Sequence, residues 1–275
     1  MLHQIETISF ITTIVVLQLG LILYTWYLIV KARSRGQSIK SPTRFAGLVS
    51  LAAWLALTIS LAARALQTGH VPFTDLYEIT ASFCWGVLLG GIVFQWGLKA
   101  AVFGAGGAAI AYALLIYAFT LPSQHSTLPP ILQGTILLPL HVSCAIIAYG
   151  MFGMGFVSAI FLLIQEKRSA AFLPSVVMLD RAGYLSVLTG LPFMTLVIVL
   201  GSIWANMAWG RFWAWDPKET ASLVTWLIYV CYLVTRWFCR WSERRSAAIL
   251  IAGFVAVLVT FFGNLVFAGL HSYVR

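Results

Sequence analysis

The sequence predicts an all-α protein that crosses a membrane eight times, and three observations carry that prediction. Of the 275 residues, 61% are hydrophobic and only 9% are charged, whereas roughly a quarter of the residues in soluble domains are charged. The charged residues fall in short clusters that are separated by long uncharged runs. These runs lack the alternation of a barrel strand, and a backbone in lipid satisfies its own hydrogen bonds as a helix.

Eight uncharged runs are each near or above the roughly 20 residues that a helix needs to cross a bilayer. In chain order they are Thr7–Val30, Phe45–Ala63, Ile79–Leu98, Ala100–Leu121, Ile136–Gln165, Ala182–Ala208, Pro217–Thr235 (uncharged after two charges at its start) and Ala247–Leu270. No low-complexity linker divides the chain, and no internal repeat of the transporter type is visible. We therefore expect residues 1–275 to form a single integral membrane domain surrounded by the lipid bilayer.

The basic residues predict the orientation, because Lys and Arg concentrate in the cytoplasmic connections of membrane proteins. Most of the 17 bases follow the first, third, fifth and seventh helices. This distribution predicts that both termini lie on the outer face of the membrane. It also accounts for the net charge of +9, so a nucleic-acid partner is not expected.

The connection between the sixth and seventh helices, residues 203–220, is called here the tryptophan-rich segment. It holds four of the 11 tryptophans: Trp204, Trp209, Trp213 and Trp215. One or two interfacial tryptophans per helix end are ordinary, but four predict an aromatic shelf that suits a large flat apolar ligand. Asp216-Pro217-Lys218-Glu219 is also typical of a helix start, with Asp as the N-cap and Glu at N3.

Two histidines are predicted at the same outer end as this segment. His141 lies near the outer start of the fifth helix, and His271 lies just past the outer end of the eighth. Either one alone is more often an ordinary interfacial residue, but neutral imidazole is a standard axial ligand of haem iron. Arg211 and Lys218 are placed to pair with haem propionates. The remaining histidines are weaker candidates or incidental: His70, His125 and His3.

Several short segments of the chain together form a long and specific pattern. The tryptophan-rich set comprises Trp204-Ala205-Asn206, Ala208-Trp209-Gly210, Trp213, Trp215–Thr220 and Thr225–Tyr229. The others are Gly69–Pro72, Leu76-Tyr77-Glu78, His141-Val142-Ser143 with Tyr149, and Gly269–Tyr273. Together they resemble the signature of the CcsA/ResC family of cytochrome c assembly proteins. The matches run from about residue 64 to the C-terminus.

The resemblance implies a role in cytochrome c biogenesis, as a subunit of a holocytochrome c synthase (haem lyase). Such proteins hold non-covalent b-type haem between two external histidines, which implies His141 and His271 as axial ligands. The residues that would line the haem face are Trp209, Trp213, Trp215 and Asp216. With a CcsB/ResB-type partner, these proteins present haem to the Cys-x-x-Cys-His motif of apocytochrome c. The expected location is the plasma (inner) membrane or, for a plastid-encoded chain, the thylakoid membrane.

The sequence departs from the family pattern at three positions. Met207 stands where relatives have Glu, Ala221 where they have Trp, and Val234 where they have an intramembrane His that helps to receive haem. Two other hypotheses stay open, and Val234 gives weight to the first. One is a regulatory membrane protein of haem metabolism, of the HemX type. The other is a haem transporter, although transport calls for mid-depth polar residues and broken helices, and few are present.

Overall fold

A computed structural model describes residues 1–34, 43–123 and 136–263, and its helices follow the eight uncharged runs. They are α1 (Leu2–Arg33), α2 (Thr43–Thr68), α3 (Leu76–Leu98), α4 (Ala101–Phe119), α5 (Leu137–Arg168), α6 (Val176–Trp209), α7 (Pro217–Phe238) and α8 (Glu243–Phe262). All eight are long and apolar enough to cross a membrane, and the described ranges contain no strand. The prediction of eight apolar spans is confirmed, while the orientation of the termini stays a prediction.

Several helices extend beyond the uncharged runs, because a helix ends at a cap and not at the first charge. α6 begins after Ser175, whose side chain accepts a hydrogen bond from the Met178 N–H, and it continues to Gly210. Gly210 has a φ of 71°, a left-handed conformation that glycine adopts without strain. The predicted end of the eighth run, Leu270, lies outside the described residues.

Helices α3 and α5 form the centre of the bundle and are the most buried spans. Close approach of their backbones depends on glycine at the crossing. A Cβ atom at Gly86 would lie 2.5 Å from the carbonyl oxygen of Ile146, and a Cβ at Gly90 would lie 2.9 Å from that of Gly150. Small residues at a crossing are the usual means of packing helices in lipid, where burial of apolar surface gives no driving force.

Ion pairs and hydrogen bonds show which helix ends lie together. Arg64 near the end of α2 contacts Glu6 near the start of α1 at 3.0 Å and Glu78 near the start of α3 at 2.6 Å. It also donates to the carbonyl oxygen of Ser123, just after α4, at 2.9 Å. We call this end of the bundle, which also holds His141, the histidine end. The opposite end, where Lys31, Arg44 and Lys99 lie, is called the basic end.

Candidate functional site

A cavity opens at the histidine end between α3, α5, α6, α7 and α8. Its empty space, including the open mouth, is about 1280 Å³. The walls are mainly aliphatic and aromatic. The polar side chains that line it include His141, Ser202, Lys218, Glu219, Ser222 and Thr260. We call it the histidine cavity.

His141 is held in one orientation by α6. Its Nδ1 lies 2.8 Å from the carbonyl oxygen of Val197, and a carbonyl oxygen only accepts, so we assign the ring proton to Nδ1. In the neutral ring this tautomer places the lone pair on Nε2. Gly201 gives the ring its space, because a Cβ there would lie 2.8 Å from His141 Cε1. A backbone carbonyl that fixes the tautomer is the usual support of a metal-binding imidazole.

The tryptophan-rich segment is helical at both ends, with a short connection at residues 210–216. Its tryptophans form two edge-to-face pairs. Trp204 and Trp209 on α6 have ring centroids 4.9 Å apart, and Trp213 and Trp215 in the connection have centroids 5.8 Å apart. The four rings therefore do not lie in one plane as a single flat shelf.

The tryptophans differ in their relation to the histidine cavity. Trp204, which is buried, and Trp213 line it, together with the exposed Phe212. The Trp213 Nε1 atom is buried and has no hydrogen-bond partner in the described part of the chain. Buried N–H groups are nearly always paired, so this indole has an unused donor at the cavity. Trp209 and Trp215 lie outside the lining, and Trp215 is 70% exposed.

Asp216 and Glu219 form the capping box that the sequence predicts at the start of α7. Asp216 Oδ1 accepts from the Lys218 N–H at 3.0 Å. Glu219 Oε2 accepts from the N–H groups of Asp216 at 3.2 Å and Ala214 at 2.8 Å. Asp216 lies outside the cavity lining and is 6% exposed. Its observed contact fixes the connection that carries Trp213.

Two cations were predicted to face a ligand, and the structure places them differently. Lys218 lines the histidine cavity and has no ion-pair partner in the ranges that the structure describes. Arg211 is exposed and lies outside the lining. The carboxylate of Glu219 also lines the cavity but accepts from backbone N–H groups. The cavity therefore offers one ammonium group to an anionic substituent of a ligand.

The wall formed by Phe73 and Leu76 is positioned by a buried ion cluster that the sequence reasoning did not identify. Arg64, which is 1% exposed, contacts Asp75 at 2.9 Å as well as Glu6 and Glu78. The Thr74 N–H donates to Glu78 at 2.7 Å, so the whole segment before α3 is tied to α2. Burial raises the pKa of Asp75 above its usual value, although Arg64 acts in the opposite direction. In the sequence, the signal for this ion cluster is charged residues directly beside apolar runs.

The other histidines and Val234 complete the account of the predicted residues. His271 and His125 lie outside the described residues. His70 Nδ1 lies 3.2 Å from the Thr74 hydroxyl, outside the cavity lining. His3 is exposed and 3.8 Å from Glu6. Val234 on α7 is 44% exposed, so a side chain at this position faces outward from the described bundle.

The fold and the cavity define a class: a polytopic membrane protein with an aromatic, imidazole-bearing cavity at one end. The family described as Cytochrome C assembly protein matches residues 73–271. The chain is 32% identical, over an alignment of 297 positions, to the cytochrome c biogenesis protein CcsA of Synechococcus sp. (strain CC9311), covering 93% of this chain and 97% of the relative. It therefore belongs to the cytochrome c assembly protein family, which confirms the resemblance seen in the sequence.

Two further relatives agree with this assignment. The CcsA protein of Prochlorococcus marinus (strain MIT 9303) is 31% identical over 257 residues, covering 80% of each chain. The CcsA protein of Guillardia theta is 31% identical over 252 residues, covering 82% of this chain and 83% of its own. The similarity thus extends well beyond the tryptophan-rich segment and includes most of the helices.

Proposed function

We propose that this chain binds haem in the histidine cavity and presents it for covalent attachment to apocytochrome c. Family membership places the chain in cytochrome c maturation. The observation that carries the finer proposal is the geometry of His141. Its Nδ1 is engaged by the Val197 carbonyl oxygen, which leaves the lone pair on Nε2 beside an aromatic cavity.

The chemistry of the cavity fits a non-covalently held, b-type haem as substrate. Haem is flat and largely apolar, its iron accepts imidazole nitrogen, and its two propionates are anionic. Trp204 and Trp213 offer aromatic contact, while Lys218 and the Trp213 N–H suit a propionate. The second axial ligand proposed is His271. Phe261 near the end of α8 lines the cavity, and His271 follows shortly afterwards in the chain.

The chain's own residues need to position and shield haem, not to supply acid or base. Each thiol of the Cys-x-x-Cys-His motif adds across one haem vinyl group, with sulfur bonding to one carbon and hydrogen to the other, so no electrons are gained or lost. Holding the vinyl groups in a fixed place lowers the entropic cost of that step. We propose that a CcsB/ResB-type membrane protein contributes to the site as a partner.

The proposed location is the plasma (inner) membrane or the thylakoid membrane, with the histidine end on the outer side. Bases cluster at the basic end, as cytoplasmic connections require. Reporter fusions after Arg168 and after Arg245 should therefore report the cytoplasm, and a fusion at the C-terminus should report the outer side. A cytoplasmic C-terminus would contradict this orientation.

The transporter hypothesis receives no specific support from the described residues. Each of the eight helices is continuous through its span, whereas transporters use broken helices at mid-depth. The HemX-type hypothesis and the proposal predict different effects of substitutions in the histidine cavity on cytochrome maturation. A regulatory protein would leave attachment of haem to cytochromes unchanged when the histidine cavity is altered.

The test is to replace His141 with Ala in the chain copurified with its membrane partner. Haem bound per chain should fall or its absorption spectrum should change, cytochrome c maturation should drop, and added imidazole should partly restore both by filling the vacated position. His70→Ala is the matched control, because His70 lies at the same end but outside the lining. An unchanged spectrum and unchanged maturation in His141→Ala would refute the proposal.

A further inference from the structure

A second cavity lies at the basic end, where the ends of α1, α2, α3 and α4 meet the residues leading into α6. Its empty space, including the mouth, is about 1170 Å³. Three bases from three helix ends line it: Lys31, Arg44 and Lys99. Among the described residues, no Asp or Glu lines this cavity, and none of the three bases has an ion-pair partner. We call it the basic cavity.

The start of α4 adds positive potential to the same place. Ala101 and Val102, the first residues of α4, line the basic cavity, and the N-cap residue Ala100 makes no side-chain capping bond. The first N–H groups of a helix lack intrahelical acceptors, and the helix dipole gives them partial positive charge. The helix terminus and the three bases therefore reinforce one another.

Gln95, an uncharged polar residue in this wall, is already satisfied within the protein. Gln95 Nε2 donates to the Thr43 carbonyl oxygen at 3.0 Å, and Gln95 Oε1 accepts from the Tyr24 hydroxyl at 2.5 Å. The side-chain groups of Gln95 are thus engaged with protein atoms and do not offset the three cations. Like charges gathered around one cavity repel, so the arrangement favours a bound anion.

Much of the remaining wall is apolar, which favours an anion that carries apolar chains over a free anion. Leu28 on α1, Trp96 on α3 and Phe172 before α6 line the cavity beside the bases. A phospholipid carries a phosphate next to apolar chains at the depth of helix ends. Basic pockets between helices on the cytoplasmic side are typical sites for anionic head groups, and the predicted orientation places the basic end on that side.

We propose that the basic cavity binds the head group of an anionic phospholipid. The phosphate lies among Lys31, Arg44 and Lys99, and the apolar chains lie against Leu28 and Trp96. Bound there, the lipid joins the ends of α1 to α4 and fixes their depth in the inner leaflet. This inference is independent of the proposed haem site, which lies at the other end of the bundle.

The experiment compares two triple variants of the full chain in nanodiscs of equimolar phosphatidylglycerol and phosphatidylcholine. The cavity variant is Lys31→Gln/Arg44→Gln/Lys99→Gln. The control variant, Lys167→Gln/Arg168→Gln/Arg244→Gln, removes the same charge from positions outside the cavity lining. Native mass spectrometry after gentle extraction should find phosphatidylglycerol on the unaltered chain and the control. The cavity variant should bind it on the order of 100-fold more weakly, since each base near a head group contributes about fivefold.

Three results would overturn the inference. Equal loss of phosphatidylglycerol in both triple variants would mean general surface attraction. Equal retention of phosphatidylcholine by the unaltered chain would mean no selection by charge. Displacement of the lipid by millimolar inorganic phosphate would mean a site for free anions. If the cavity variant does not purify folded, Lys31→Gln against Arg168→Gln gives the same comparison, with about a fivefold difference expected.

Discussion

Two polar regions at the histidine end, the Arg64 cluster and the histidine cavity, differ in how their buried polar groups are satisfied. Arg64 donates to three carboxylates and one carbonyl oxygen, and Glu78 also accepts from a backbone N–H. The side chains of the histidine cavity border empty space, and the Trp213 N–H among them has no hydrogen-bond partner in the described part of the chain.

The difference separates a scaffold from a ligand site. A network whose members satisfy one another becomes rigid and leaves nothing for a ligand. Groups that border empty space and keep unused bonding capacity are the ones that a ligand completes. We therefore expect substitutions in the Arg64 cluster to lower stability, and substitutions around the cavity to lower haem binding in a chain that still folds.

The largest expected effect on stability is that of Arg64→Met. It leaves the buried carboxylates of Glu6 and Glu78, and the half-buried one of Asp75, without their shared cation. The free energy of unfolding should therefore fall by about 3–5 kcal/mol. Unfolding by a denaturing detergent, followed by circular dichroism, measures this. The exposed Arg244→Met should change it by no more than about 0.5 kcal/mol. Equal effects of the two substitutions would show that the cluster is not a scaffold.

The second prediction concerns the space that Gly201 leaves for His141. Gly201→Ala places a Cβ 2.8 Å from His141 Cε1, so the imidazole ring must shift from its present position. We expect a changed haem spectrum with a stability loss of about 1–3 kcal/mol, the usual cost of overpacking. At Gly97 a Cβ meets nothing within 4 Å, and Gly97→Ala should preserve the spectrum. An unchanged haem spectrum in Gly201→Ala would show that the position of the His141 ring does not determine how haem is bound.

Removal of the indole N–H tests the unpartnered donor in the cavity. Trp213→Phe keeps an aromatic ring but loses Nε1–H, and haem should bind about fivefold more weakly, corresponding to about 1 kcal/mol for one hydrogen bond. Titration of haem into the haem-free chain measures the difference. Trp215→Phe should have little effect, because Trp215 is exposed outside the lining. A stronger effect at Trp215 would favour the sequence-based prediction that it lines the haem face.

The smallest expected effect is that of Lys218→Gln. A single ammonium–propionate contact near the membrane surface is worth at most about 1 kcal/mol and weakens with salt. Haem affinity should fall less than about tenfold, and the difference should vanish with haem dimethyl ester, which lacks the carboxylates. Arg211→Gln should leave the affinity unchanged, because Arg211 lies outside the lining. A difference that persists with the ester would exclude propionate pairing.

The sequence by itself determined the number of spans and which helix ends lie together. Run length decides whether a helix can cross a bilayer, and this requires no tertiary information. Because successive spans alternate in direction, the end of α6 and the start of α5 must lie at the same end, which brought His141 and the tryptophan-rich segment together. The start of α7 was also predictable, since its capping box lies within four consecutive residues.

Only the tertiary structure decided which side chains meet in the cavity. A helix that is apolar all round carries no polar face to mark its rotation about its own axis, so the sequence did not separate Trp204 from Trp209 on α6. Trp213 and Trp215 lie in the connection, which has no helical periodicity to separate them. The Arg64 cluster joins residues far apart in the chain, and the place of His141 depends on Gly201 of another helix. Such contacts arise from helix packing, which local sequence does not specify.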